Sequence, residues 1–178
     1  DVIGSRKGQV TEADSALTGQ SLFALDANAD AYLVGLSDGR VFTIEASEVT
    51  RSSLSTIDVT RTVCELSFEQ SPACLVSSDP ELVWQTIYRG RAIQAADTLG
   101  AAQYMLDQAI AYSLDRKQFN RVIGSFQAVK HMCAEMASQL EPCRAFAWYA
   151  GHAFDESTAD AKLTACHAKA HLAEVGQF

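Results

Sequence analysis

The sequence predicts an α+β protein, a small antiparallel β module followed by the long helices of an incomplete up-and-down four-helix bundle. Three observations predict it. Short runs of alternating apolar and polar residues, separated by turn residues, fill the chain to about residue 78. At Asp79-Pro80-Glu81 that pattern gives way to a helical period that continues to Arg116. Two further helical patterns follow, and no fourth appears to close the set. The domain boundary is therefore placed between a β-domain over 1–78 and a helical domain over 79–178.

Strands are expected at 21–27 (SLFALDA), 31–37 (AYLVGLS) and 40–47 (RVFTIEAS). Asp38-Gly39 reads as a two-residue hairpin turn between the last two, because Gly accepts the positive φ such a turn demands. In 62–70 (TVCELSFEQ), Cys64, Leu66 and Phe68 alternate with Glu65, Ser67 and Glu69, so one face meets a core and the other meets water. A meander of four or five short strands is expected, too few to bury both faces of its sheet.

The first helix has Asp79 as N-cap, Pro80 at the first helical position and Glu81 facing the positive helix end. Its apolar series runs Leu82, Trp84, Ile87, Ile93, Leu99, Met105, Leu106, Ala109 and Ile110. Gly90 and Gly100 lie inside it, and close packing or ligand approach would justify their cost of ~1 kcal/mol each. A second helix is expected from Ser125 to Phe154, kinked at Pro142. A third starts at Ser157, where Ser157 and Asp160 have capping-box spacing, with Leu163, Cys166, Ala170 and Ala173 on one face. Missing sequence or another subunit would supply the fourth partner of the bundle.

Composition narrows function. With 48% hydrophobic and 20% charged residues the chain is globular rather than disordered, and a net charge of −8 argues against a general nucleic-acid binder. No apolar run reaches the ~18–20 residues of a membrane span. The first ten residues, DVIGSRKGQV, show neither an initiating Met nor the basic and apolar regions of a signal peptide, as expected of a fragment, a processed chain or a trimmed one. Five cysteines without a CxxC suggest reduced thiols in an intracellular compartment, mostly acting as small buried hydrophobes. His167 and His171 stand four apart on a helix but lack a third ligand and a general base, so they read as surface residues, and no metal is expected. No GxSxG, Walker or GxGxxG pattern occurs.

One stretch carries more chemistry than a turn needs: DRKQFNRVIGSFQAVKH, residues 115–131. Arg116 at a helix C-terminus is already favourable as a charge against the dipole. It also has the planar fork that binds phosphate oxygens bidentately. Gln118 and Gln127 can donate and accept at a nucleotide's polar edges, and Phe119 offers a ring for stacking. Together they would form a compact grip on a dinucleotide.

The same segment, extended to AYSLDRKQFNRVIGSFQAVKHMCAEM, resembles the acyl-CoA dehydrogenase family, whose pattern approximates Y-x-x-x-R-x-Q-F-G-x-x-I-x-x-F-Q-A-V-x-x-x-x-A-x-M. ALTG (16–19), NADAYLVGL (28–36) and DVTR (58–61) with VCELSFEQSPA look like its β-domain, and AADTLGAAQYMLDQAIAYSLDRKQF like the first helix of its C-terminal bundle. The resemblance implies FAD as cofactor, an acyl-CoA substrate and α,β-dehydrogenation of the thioester. It assigns Arg116 to the FAD pyrophosphate of a neighbouring subunit, with Gln118, Phe119 and Gln127 lining the same contact. It sets Arg91 near the substrate. A homodimer or homotetramer, or a heteromer with a related subunit, is implied by that shared cofactor, and the cytoplasm or the mitochondrial matrix is the expected location.

The departures are specific. Asn120 stands where the family has Gly, and Asn best tolerates a left-handed backbone among the other residues. The family's N-terminal helical domain and the segment that contacts the flavin ring have no expected counterpart here. Gly90 stands where some members carry the catalytic carboxylate, so the base is expected outside this segment. Two alternatives follow: a non-catalytic subunit that completes a partner's FAD site, or a flavin monooxygenase or oxidase on the same scaffold.

Overall fold

The computed structural model describes residues 8–177, in two compact units that divide between Val83 and Trp84. The opening stretch discussed above lies outside the described residues as far as residue 7.

The first unit contains β1 (Gln9–Ala13), β2 (Ala16–Leu25), β3 (Ala31–Gly35), β4 (Val41–Glu45), β5 (Thr50–Leu54), β6 (Val63–Pro72) and β7 (Cys74–Ser77). These are not one meander. They form two antiparallel sheets, ordered β1-β2-β6-β5 and β3-β4-β7, and the chain changes sheet after β2, after β4 and after β6. The expected alternation in β6 holds, with Cys64, Leu66 and Phe68 buried. Their counterparts from the other sheet are Tyr32, Val34, Phe42 and Ile44, all in the same core. Each sheet thus buries one face against the other, which answers the concern that a single small sheet could not bury both.

The β3–β4 loop also corrects the expected turn. Leu36 N–H donates to Arg40 O at 2.8 Å and Gly39 N–H to Leu36 O at 3.0 Å, enclosing three residues rather than two. Gly39 takes φ +90°, and a Cβ there would meet the Pro80 ring at 2.5 Å, so only Gly fits. Asp38 accepts the Arg40 backbone N–H at 3.0 Å and its side-chain Nε–H at 2.8 Å, Glu12 accepts from the same guanidinium, and these bonds hold both carboxyls below the usual carboxylate range.

Helix α1 (Pro80–Asp115) starts where expected, at the end of the first unit, and supplies the first helix of the second; Asp79 Oδ1 accepts the Glu81 N–H at 2.9 Å. A Cβ at Gly90 or Gly100 would meet nothing within 4 Å, so no packing within the described chain requires either glycine. Helix α2 (Gln127–Asp155) begins later than Ser125, which instead ends a short 3-10 turn over Ile123–Ser125. The Ser125 hydroxyl donates back to Val122 O at 2.7 Å instead of capping the helix. Pro142 lies within α2 without ending it.

Helix α3 (Ala161–Val175) starts four residues after the predicted Ser157. Ser157 has φ +54° and its N–H goes back to Phe154 O at 3.3 Å, so it closes α2 and cannot cap α3. Asp160 stands at the N-cap with its carboxylate already engaged. It accepts from Thr158 Oγ1 at 2.6 Å and from the Tyr149 hydroxyl at 2.9 Å, which lowers the carboxyl and raises the phenol.

The buried face of α3 is Ala161, Thr164, Ala165, Ala168 and Leu172. It is not the predicted face: Leu163 and Ala170 are exposed, Cys166 and Ala173 half-buried. Alanines let the helices approach closely, so small residues win the interface from the larger Leu163. Ala95, Leu99, Ala102 and Leu106 of α1, Leu140, Cys143 and Ala150 of α2, and Ala168 and Leu172 of α3 make one core. Ile93, Tyr104 and Met105 of α1 remain exposed beyond it, so these helices leave apolar surface uncovered. All five cysteines are free, but only Cys64 and Cys143 are buried, fewer than expected. Among the described residues no helix is long and apolar enough to cross a membrane.

Candidate functional site

Between α1 and α2 the chain forms a miniature antiparallel hairpin, β8 (Lys117–Gln118) and β9 (Arg121–Val122). Its two turn residues, Phe119 and Asn120, have φ of +52° and +62°. Left-handed geometry at both central positions is the type I′ turn that matches strand twist. Asn120 therefore keeps the turn that Gly would serve. Phe119 is the unusual occupant, because a bulky residue at positive φ is strained. The residue is 87% exposed.

The hairpin is anchored at its base. Arg116 N–H closes the last turn of α1 on Tyr112 O at 2.9 Å, and Ile123 N–H donates to Arg116 O at 2.8 Å. Gly124 lies against α1 so closely that a Cβ would come within 3.0 Å of Ser113 O. The pairings Lys117↔Val122 and Gln118↔Arg121 then place Gln118 and Arg121 on one face of the hairpin and Lys117 and Val122 on the other, with Arg116 at its base.

The structure thus brings Arg116, Gln118 and Phe119 together on one hairpin, with Gln127 as the first residue of α2 just beyond it. All four are exposed. Among the described residues the Arg116 guanidinium makes no hydrogen bond or ion pair. The Gln118 amide is lightly engaged, donating to Lys117 O at 2.8 Å. Gln127 Nε2 lies 3.4 Å from His131 Nε2.

Arg91 is not part of this group. It sits about 37 Å away along α1 at 1.5 Å per residue. There its guanidinium donates to Cys166 Sγ at 3.1 Å and stands 5.1 Å from the Tyr88 ring centroid.

Two residues join the corner that sequence reasoning missed. Arg121 Cζ lies 3.9 Å over the Phe126 ring, and Phe126 meets Phe119 edge-on at 6.1 Å. Neither is marked by residue type: Arg121 comes opposite Gln118 only because Phe119 and Asn120 close a two-residue turn. Arg116, Gln118, Phe119, Arg121, Phe126 and Gln127 are donors and rings, a set that can bind and orient an anion.

The left-handed Phe119 yields a test. Phe119→Gly should hold or raise the melting temperature, since Gly removes strain on the order of 1–2 kcal/mol. The same change should weaken binding of any ring stacked on Phe119. A variant that melts lower and binds as before would contradict both halves.

The fold class these units define is an α+β protein with part of a helical bundle. Residues 81–178 match the family described as acyl-CoA dehydrogenase, C-terminal domain, and this chain belongs to the acyl-CoA dehydrogenase family. It is 51% identical over 49 residues to acyl-CoA dehydrogenase FadE34 of Mycobacterium tuberculosis, covering 28% of this chain and 7% of that protein. It is 29% identical over 172 residues to the probable acyl-CoA dehydrogenase FadE25 of the same organism, covering 93% of this chain and 40% of that one. The chain therefore spans less than half the length of either. The structure of butyryl-CoA dehydrogenase from Megasphaera elsdenii shares the fold, with TM-score 0.83 and 24% identity over 96% of this chain and 50% of its own.

Proposed function

We propose that this chain is part of an FAD-dependent acyl-CoA dehydrogenase whose hairpin corner holds the pyrophosphate of FAD bound mainly by a neighbouring subunit. One observation carries the reading: in a member of this family, Arg116, its guanidinium unpaired among the described residues, stands at the base of a hairpin that carries Gln118 and the exposed Phe119. The donor set fits the group. A guanidinium offers paired donors to phosphate oxygens, Gln118 and Gln127 offer amides to the nucleotide's edges, and Phe119 offers a face to a ring. Bound FAD would supply the hydride acceptor for α,β-dehydrogenation of an acyl-CoA thioester.

The residues of this corner bind and orient. They lend one wall of a site to the adjoining subunit, so a homodimer or homotetramer is the assembly proposed. Arg91 is proposed to face the acyl-CoA, its fork held in place by Cys166 and Tyr88. Five free cysteines support a reducing compartment, with the cytoplasm proposed ahead of the mitochondrial matrix.

A second reading is favoured by Gly90, which faces open space where other members place a carboxylate. Under it the chain would complete a partner's FAD site without a base of its own. One experiment separates the two. The full-length protein, purified with its flavin, is mixed anaerobically with saturated acyl-CoAs of increasing chain length. Bleaching of the flavin absorbance by at least one of them is expected. Flavin that appears only after mixing with a related subunit would favour the second reading. Full-length protein that binds no flavin under either condition would overturn both.

A further inference from the structure

We propose that Arg121 is a second phosphate ligand of this corner, acting with Arg116 from the same hairpin. The proposal rests on the dinucleotide reading of the corner and extends it to a residue outside the predicted set.

Three observations lead there. First, register puts Arg121 directly opposite Gln118, on the face of the hairpin that carries that amide and five positions from Arg116 at the hairpin's base. Second, its guanidinium is held: Cζ lies 3.9 Å over the centroid of the Phe126 ring, and a guanidinium in such a cation–π contact keeps its N–H groups for an anion. Third, the charge is uncompensated. Arg116, Lys117 and Arg121 fall within six positions of a chain whose net charge is −8. Among the described residues neither Arg116 nor Arg121 forms an ion pair, and Asp115, the adjacent carboxylate, neutralises neither.

Two guanidiniums on one short hairpin and its base suit an anion with two charged phosphates better than a single carboxylate. Phe126 serves both: it backs Arg121 and meets the edge of Phe119, so phosphate and ring contacts share one support. Arg121 would therefore touch the pyrophosphate, and its role is not confined to bracing Phe126.

The test uses full-length apoprotein titrated with FAD, comparing wild type with R121M, R121K and R116A. Met keeps apolar contact with Phe126 and drops the charge, whereas Lys keeps the charge and loses the planar stack. R121M is expected to weaken FAD roughly ten- to hundred-fold, R121K to recover most of that loss, and acyl-CoA affinity to stay unchanged. Equal losses in R121M and R121K would show a brace and overturn the proposal. Weaker acyl-CoA binding with unchanged FAD would assign the anion to the substrate and overturn it too. If R121M binds as wild type while R116A does not, Arg121 is excluded and the corner stands. If neither variant weakens FAD, the reading of the corner fails, and this proposal with it.

Discussion

Phe68→Ala is expected to cost about 3–5 kcal/mol of stability, a large share of the ~5–15 kcal/mol that holds a domain folded. Phe68 is only 2% exposed, lies on β6 between β2 and β5, and shares its core with Leu17, Leu66, Phe42 and Ile44 from both sheets. Removing its ring leaves a cavity that paired strands on each side cannot collapse to fill. Urea unfolding of the full-length protein checks this. Ile44→Val serves as the graded control, expected to cost about 0.5–1.5 kcal/mol. A Phe68→Ala midpoint within error of wild type would mean that the sheets do not share the core described.

Arg116→Ala should leave stability nearly unchanged and strip the cofactor. Arg116 is exposed and unpaired among the described residues, so its removal deletes no packing. What is lost is a charged hydrogen-bond partner of the pyrophosphate, worth about 1.5–3 kcal/mol, or roughly ten- to hundred-fold in FAD affinity. Arg116→Lys should fall between, because an ammonium keeps the charge and not the bidentate fork. The check is flavin-to-protein absorbance after gel filtration of the full-length oligomer, alongside its melting temperature. Flavin content equal to wild type in Arg116→Ala would remove the pyrophosphate role.

The parts of this fold legible in the sequence are those decided by neighbouring residues. Asp79-Pro80-Glu81 supplies a cap, a preset φ and a charge for α1 within three positions, and the helix starts there. Period-two alternation told which face of β6 is buried. What stayed hidden depends on distant partners. β1, β5 and β7 are short and largely polar or exposed, and their pairing with β2, β6 and β4 creates the strands more than their composition does. The buried face of α3 was misread for a related reason. Leu163 and Cys166 are more hydrophobic than Ala161 and Ala165, but close approach favours the smaller side chains.

The corner was half legible. Arg116, Gln118, Phe119 and Gln127 announce themselves by residue type and by their likeness to the family's pattern. Arg121 does not, because its position opposite Gln118 and its stack on Phe126 exist only once the Phe119-Asn120 turn has closed. Arg91, chosen by resemblance for the substrate and not for this corner, lies in the first half of α1.

The most direct measurement is an experimental structure of the full-length oligomer with FAD bound. The account predicts an Arg116 guanidinium nitrogen about 2.7–2.9 Å from a pyrophosphate oxygen, on an FAD whose isoalloxazine ring lies in a neighbouring subunit. A hairpin tip facing solvent, with no phosphate within reach of Arg116, would contradict it.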